Sequence, residues 1–122
     1  MNGNARIKST MLGIEDHGIM TCYLNLEQDG SGQGFGGYVL DGPYNDTTRQ
    51  REPNKVCGFL IKRIMETVGV SKWEDLVGKY VRVMGEDFGV IHGIGNIIED
   101  KWFYPKKEIK ELECKEDSNE RN

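Results

Sequence analysis

The thiols of Cys22 and Cys57 are the side chains of this sequence best suited to nucleophilic chemistry. A cysteine acts as a nucleophile when a nearby base or a positive environment favours its thiolate. Cys22 stands in an alternating apolar pattern with Met20 and Leu24, which predicts core packing. Cys57 falls in the first turn of a predicted helix, where a thiolate could be stabilised, but no histidine is near it in sequence. We therefore expect no catalytic cysteine.

Patterns for metal binding and for acid–base catalysis are equally weak. A metal site needs three or four ligands at recognisable spacing, and neither His17 nor His92 belongs to an HxH or HExxH pattern. The Glu-Asp pairs at 86–87 and 99–100 are adjacent in sequence, so they do not face each other across a site. The sequence predicts a binding protein without a metal or cofactor, and not an enzyme.

The last predicted hairpin carries the residues best suited to hold a nucleotide. Arg82, Phe88, His92 and Asn96 lie along it, and the segment 101–105 (KWFYP) follows. Aromatic faces stack on a base, an amide pairs with the edge of the base, and Arg or Lys binds phosphate. The alternative is that the aromatic residues after the strand only close the end of the core.

Two further cations, Arg49 and Arg51, lie in the polar, turn-rich segment 41–54. We expect this segment to be the one long loop of the domain. Loop arginines usually interact only with solvent, but a mobile loop with two arginines could close over a phosphate. Both residues are therefore candidate ligand contacts.

Five of the eight residues from Gly30 to Gly37 are glycine, and strands are predicted on both sides of this run. Glycine loops that bind phosphate usually join a strand to a helix, and a P-loop continues with Lys and then Ser or Thr. The run has neither feature. It is expected to be a flexible hairpin, or a place where backbone comes very close to a neighbour.

Length, charge and cysteine count limit the remaining classes. The chain has 122 residues and a net charge of −4, which predicts one domain and argues against binding of DNA or RNA polymers. Three cysteines suit neither a disulfide framework nor a zinc pattern, so reduced thiols of an intracellular protein are expected. We see no apolar signal segment and no stretch long enough to span a membrane, and expect a cytoplasmic protein.

The hydrophobic pattern predicts the elements that position these residues. Apolar residues at helical spacing from Val56 to Val68 predict an amphipathic helix that ends at Gly69, and Ser71-x-x-Glu74 has the form of a capping box for a short second helix. Strands are expected over Arg6–Ile14, Ile19–Glu27, Phe35–Leu40, Tyr80–Met84 and Phe88–Ile98.

These elements predict the α+β class: a single small domain with a mostly antiparallel sheet and one main amphipathic helix packed across it. We expect residues 1–105 to form this ligand-binding domain. Residues 106–122 are expected to form a charged tail, partly helical and then disordered from residue 116.

Several blocks of the sequence are similar to a family of small phage proteins. The blocks are Ile7–Gly18, Gly32–Tyr38, Met65–Val70 with Trp73-Glu74, and Gly95–Ile98 with Asp100–Phe103. Through them the chain resembles the phage Thoeris anti-defence proteins of the first type, roughly over residues 6–105.

The resemblance implies a function without chemistry. Such phage proteins act as sponges that bind the cyclic ADP-ribose isomer made by host TIR-domain enzymes and hold it intact, so the defence effector stays inactive in the infected bacterial cell. They work as homo-oligomers with ligand sites between subunits, and some members capture cyclic oligonucleotides. The acidic balance of this chain is a departure, because it requires the positive groups to be gathered in one pocket.

The resemblance also implies ligand-binding residues. An aromatic ring and an asparagine are important to ligand capture in the family, and Phe88 and Asn96 best match those roles here. The basic contacts of the family match Arg82, Lys101 or the pair Lys106-Lys107.

The glycine run belongs to the same pattern through residues 33–37. Its expected task is to let backbone pack close to a neighbouring subunit or to the rim of the ligand site. Phe35 within the run, together with Arg49 and Arg51, completes the candidate ligand contacts.

Two other functions stay open at this point. One is a phage inhibitor that binds a host defence protein directly, using its acidic surface to mimic nucleic acid or to cover an active site. The other is a small hydrolase that destroys the signal.

Overall fold

A computed structural model describes residues 2–85 and 91–120 of the chain. It confirms a single small α+β domain with a mostly antiparallel sheet. The elements in chain order are β1 (Asn2–Ile14), β2 (Met20–Gln28), β3 (Ser31–Val39), β4 (Tyr44–Asn45), β5 (Gln50–Arg51), helix α1 (Lys55–Val68), a 3₁₀ turn (Trp73–Leu76), β6 (Tyr80–Gly85), β7 (Ile91–Asn96), β8 (Trp102–Phe103) and helix α2 (Pro105–Glu120).

Six strands form one antiparallel sheet in the order β3-β2-β1-β6-β7-β8, while β4 and β5 form a separate two-stranded hairpin. The predicted period of two is confirmed along β2, where Cys22, Leu24 and Leu26 are buried. Val81 and Val83 of β6 are buried in the same core. One face of the sheet therefore supplies most of the apolar interior.

Helix α1 packs on this buried face. Asn54 caps its N-terminus, because its side-chain oxygen accepts a hydrogen bond from the Val56 N–H at 2.8 Å. Gly69 ends the helix in the left-handed region at φ 92°, as predicted, and its N–H donates to a carbonyl of the last turn. Leu60 and Ile64 are fully buried on the side that faces the core.

The sheet curls so that its two edges approach each other. Phe35 on β3 meets Phe103 on β8 with ring centroids 6.4 Å apart, although these strands stand at opposite ends of the strand order. Phe59 of α1 packs on the Phe103 ring from the helix, with centroids 6.5 Å apart. The curled sheet and α1 thus enclose one core.

Helix α2 is anchored to the domain at its first turn. Glu108 accepts a hydrogen bond from the Tyr104 N–H at 2.8 Å and pairs with Arg63 of α1, whose Nε lies 2.8 Å from Oε1. Ile109 packs against the core. The segment expected to be a separate tail from residue 106 is therefore part of the domain, and helical backbone continues to Glu120, past the predicted start of disorder.

The glycine run lies in a hairpin, as predicted, but its turn is shorter than expected: β3 begins at Ser31, so only residues 29–30 form the turn and the later glycines lie in the strand. Two local predictions are wrong. Ser71-x-x-Glu74 is not a capping box, because Lys72 precedes the 3₁₀ turn and no side chain caps it. The segment 41–54 contains the β4–β5 hairpin and is not one continuous loop.

The remaining differences lie at strand ends. β1 starts at Asn2, four residues before the predicted Arg6. The strand expected over Phe88–Ile98 is described from Ile91 to Asn96, and residues 86–90 lie outside the described part of the chain. β8 was not predicted, since two residues carry too little alternation to be recognised. Among the described residues, no helix is both long and apolar enough to cross a membrane.

Candidate functional site

A cavity of about 490 Å³ lies where the curled sheet leaves a gap between the edge strand β3 and the start of α2. Its volume is in the range of small-molecule sites, roughly 300–1,000 Å³. Glycines and a tyrosine of β3 form one wall. The opposite wall comes from Ile91 and His92 of β7, the residue that follows β8, and the first turn of α2. We call this space the edge cavity.

The β3 wall is largely bare backbone. Cys22 of β2 pairs with Tyr38 and Tyr23 pairs with Gly36, so Gly37 is the extra residue of a β-bulge, at φ 78°. Gly36 is held so tightly against β2 that a Cβ would lie 2.6 Å from the Cys22 carbonyl oxygen. Because β3 is an edge strand of the sheet, the backbone groups on its outer side have no ladder partner among the described residues. The run therefore forms the rim of a cavity, one of the two tasks expected for it.

Two tyrosines line the edge cavity from opposite walls. Tyr38 follows the bulge of β3, and burial raises the pKa of its phenol, which keeps the hydroxyl protonated at neutral pH. Tyr104 follows β8 on the other side and is half-buried. Each ring offers an apolar face, and each hydroxyl can donate or accept a hydrogen bond.

Lys106 and Lys107, in the first turn of α2, line the edge cavity and supply positive charge to it. The Arg63–Glu108 ion pair holds this turn in place, with side chains only 25% and 21% exposed. The described lining residues include these two lysines and no Asp or Glu. On a chain with a net charge of −4, the described lining residues thus carry positive charge, as an anion site on an acidic protein requires.

An aromatic stack supports the wall that carries Tyr104. The Tyr104 ring stacks on Trp102 at 6.0 Å with an interplanar angle of 15°, and the Arg82 guanidinium lies 4.6 Å from the centre of the Trp102 ring. Gly93 and Gly95 make room for these rings, because a Cβ would come within 2.5 Å of Tyr104 and 2.7 Å of Trp102 respectively. These two glycines of β7 thus leave the space that the aromatic rings occupy.

The Arg82 guanidinium already has partners within the chain. Its guanidinium donates hydrogen bonds to the carbonyl oxygens of Asn96 at 2.7 Å and of Glu99 at 2.8 Å, in addition to the stack on Trp102. Arg82 was a candidate ligand contact, and it does not line the edge cavity. The structure gives it a supporting role beneath the aromatic wall.

Asn96 is also fully engaged within the chain. Its amide donates to the carbonyl oxygens of Thr67 at 3.0 Å and Val68 at 3.3 Å, and its side-chain oxygen accepts from the N–H groups of Ile98 and Glu99. Asn96 therefore ties the end of α1 to the turn after β7. Lys101 lies in the same turn, where its Nζ is 2.7 Å from the Glu99 carboxylate.

His92 lines the edge cavity, whereas the other predicted ligand residues do not gather there. Phe35 is buried in the core, only 2% exposed, with its ring against Phe103. Phe88 lies outside the described residues. Arg49 and Arg51 line a different cavity beside the β4–β5 hairpin. Of the predicted basic contacts, only the pair Lys106-Lys107 reaches the edge cavity.

Neither Cys22 nor Cys57 lines the edge cavity, and burial disfavours the thiolate of both. Cys22 is completely buried, and burial raises its pKa to about 11. Burial also raises the pKa of Cys57, whose Sγ lies 3.9 Å from the Met20 sulfur. Within residues 2–85 and 91–120, no three His, Cys, Asp or Glu side chains are grouped so that they could hold a metal ion.

Sequence reasoning did not single out Tyr38, and it considered Tyr104 only as part of the segment 101–105. The curl of the sheet creates the gap between their strands, and no local sequence motif marks that gap. Comparison with protein-family models, curated proteins and solved structures found no match for this chain.

Proposed function

We propose that the protein binds a cyclic ADP-ribose isomer, the signal made by TIR-domain enzymes, and sequesters it without cleaving it. The ligand would occupy the edge cavity, and the protein would act in the cytoplasm of an infected bacterium against the Thoeris defence. The observation that carries the proposal is a positive cavity with two tyrosines on an acidic chain.

The lining chemistry suits the parts of such a ligand. Its diphosphate requires cations, which Lys106 and Lys107 supply at the mouth of the cavity. Its adenine requires a flat apolar face, which Tyr38 or Tyr104 can offer. Its ribose hydroxyls require donors and acceptors, and the outer backbone of β3 presents both.

Sequestration agrees better than hydrolysis with the same lining. The described residues around the edge cavity include no serine, threonine, cysteine or carboxylate. Hydrolysis through a covalent intermediate needs an activated nucleophile, and direct hydrolysis needs a positioned base for water. Among the described lining residues, only His92 is suited to act as such a base.

A sponge must bind tightly, and this favours a homo-oligomer. Nanomolar affinity corresponds to about 12 kcal/mol of binding free energy. Lys106 and Lys107 are exposed, so the edge cavity opens to solvent in a single subunit. A second subunit that covers the opening would exclude water and strengthen the lysine–phosphate contacts. We therefore place the ligand between subunits.

The test separates capture from cleavage. The protein is incubated with the product of a TIR-domain enzyme, the free nucleotide is removed, and the protein is heat-denatured before chromatography. The proposal predicts that intact nucleotide is released in proportion to the protein. Breakdown products formed with turnover would show an enzyme, and nucleotide left free throughout would favour direct inhibition of a host protein.

Matched variants assign capture to the edge cavity. Lys106→Ala with Lys107→Ala removes both cations from the mouth, whereas Lys110→Ala removes one exposed cation further along the same helix, outside this cavity. We expect capture to fall by about tenfold or more in the double variant, since each lost charged contact is worth about 1.5–3 kcal/mol. The Lys110 variant should capture like the wild type.

A further inference from the structure

A second cavity, of about 520 Å³, lies beside the β4–β5 hairpin and shares no lining residue with the edge cavity. Its cationic side chains are Arg49 and Arg51, and Tyr44, Gln50, Asp41 and His17 also line it. We call it the hairpin cavity. Its volume would accommodate a ligand of mononucleotide size.

The hairpin that carries the arginines is well ordered by its own hydrogen bonds. The Asn45 side-chain oxygen accepts from the N–H groups of Thr47 at 2.9 Å and Thr48 at 3.1 Å, and the Asn45 carbonyl accepts from the Arg49 N–H at 2.8 Å. The Asn45 amide donates to the Glu52 carboxylate at 2.6 Å. Arg51 is therefore presented by a built strand of this hairpin, and Arg49 by its turn.

Arg49 has a backbone conformation that is unusual for arginine. Its φ is 59°, in the left-handed region that glycine adopts most readily. A glycine at this position would relieve the backbone, so the arginine side chain is not there to favour the turn. Strained non-glycine residues cluster at ligand sites, and this is consistent with a ligand-binding role for the Arg49 guanidinium.

Among the described residues, neither arginine of the hairpin cavity has a partner of opposite charge. No ion pair involves Arg49 or Arg51 within the described part of the chain, and Arg51 makes only a long contact of 3.5 Å to the Gly42 carbonyl oxygen. Asp41 is the one carboxylate among the described lining residues, and its Oδ2 already accepts the Met20 N–H at 2.6 Å.

His17 adds to this balance of charge. Its Nδ1 lies 3.1 Å from the Glu15 carboxylate, and hydrogen bonding to His17 lowers the pKa of Glu15. Glu15, which does not line the cavity, is thus already paired. The described lining residues therefore carry two arginines against one engaged carboxylate, and the hairpin cavity suits an anion.

We propose that the hairpin cavity is a separate binding site for a nucleoside phosphate. Arg49 and Arg51 bind the phosphate oxygens through their guanidinium groups. Tyr44, a residue that is 54% exposed, offers its ring face to the base, and Gln50 can pair with the base edge. The proposal does not depend on the function assigned to the edge cavity.

The test uses AMP, adenosine and inorganic phosphate as probes in isothermal titration with the full chain. Arg49→Gly is the informative variant, because it removes the guanidinium while it suits a φ of 59°. We expect AMP to bind about tenfold or more weakly to this variant with no loss of melting temperature, since a charged phosphate contact is removed. Asp29→Gly, at φ 49° in the β2–β3 turn, is the matched backbone control and should bind AMP like the wild type.

The same titrations test the proposal and separate the two cavities. The proposal predicts that AMP binds more tightly than adenosine, and that its binding survives Lys106→Ala with Lys107→Ala. If AMP binding is lost in that double variant and unchanged by Arg49→Gly, the nucleotide belongs to the edge cavity and the proposal fails. It also fails if AMP produces no saturable heat, or if adenosine binds as tightly as AMP.

Discussion

Replacing Glu108 tests whether α2 belongs to the domain that holds the edge cavity. Glu108→Ala removes two contacts at once: the ion pair with Arg63 at 2.8 Å and the hydrogen bond from the Tyr104 N–H at 2.8 Å. Both side chains of the ion pair are about three-quarters buried, so solvent screens the pair only partly. A hydrogen bond to a charged group contributes about 1.5–3 kcal/mol, and Arg63 keeps its bond to the Trp102 carbonyl. We expect a loss of about 2–4 kcal/mol in the free energy of unfolding.

Urea denaturation followed by circular dichroism measures this loss directly. For a domain of this length it corresponds to a fall in melting temperature of about 4 °C per kcal/mol. Glu108→Gln keeps an acceptor for the Tyr104 N–H but loses the charge, so it should lose about half as much. Glu111→Ala, an exposed residue of the same helix, is the control and should change stability by about 0.5 kcal/mol or less. A loss in Glu108→Ala no larger than that of the Glu111 control would refute the anchoring of α2.

Three further predictions concern the support of the site and the core. Gly95→Ala should destabilise the protein by about 1–3 kcal/mol in urea denaturation, because its Cβ would lie 2.7 Å from the Trp102 ring. The Cβ of Gly34→Ala meets no described atom within 4 Å, so this variant serves as the control; equal losses in the two variants would contradict the close packing of Trp102 on Gly95. Asn96→Ala removes four hydrogen bonds and should cost about 2–4 kcal/mol in the same assay, and an unchanged stability would show that these bonds add nothing. Burial raises the pKa of Cys22 from an ordinary 9.0 to about 11, so the thiol of the unfolded chain loses its proton at lower pH than the thiol of the folded protein. The contribution of the buried thiol to the free energy of unfolding is therefore fully present below pH 9 and falls by about 2–3 kcal/mol as the pH rises to 11. A stability profile over this range that is identical in Cys22→Ala would contradict the burial of the thiol.

The sequence was sufficient for the parts of the fold that depend on local pattern. The alternation along β2 and the helical spacing of α1 are both found in the structure, as is the C-cap at Gly69. The start of β3 was predicted at Phe35 and lies at Ser31, because glycine is typical of turns whereas most of this run lies in a bulged edge strand. Ser71 was misread because a capping pattern is meaningful only where a helix begins at the expected residue, and the turn starts after Lys72.

The candidate site could be predicted only in its chemistry. Cations, aromatic rings and an amide were expected near the last hairpin. Which of these residues line the cavity and which bond within the chain depends on long-range packing. Asn96 and Arg82 were expected to touch ligand, and their hydrogen bonds are instead made within the chain. Tyr38 and Lys107 face the same cavity only because the curl of the sheet brings β3 to the start of α2, and no periodicity of the sequence encodes that approach.

Isothermal titration of the cyclic ADP-ribose isomer into the wild type and into the Lys106→Ala, Lys107→Ala double variant tests the central claim most directly. We predict saturable, tight binding to the wild type, and binding weakened by about tenfold or more in the double variant, as loss of two charged contacts requires. Lys110→Ala should titrate like the wild type, and melting curves should show all three proteins folded. Equal affinity in the wild type and the double variant, or no binding to the wild type, would contradict the assignment of the edge cavity as the site of capture.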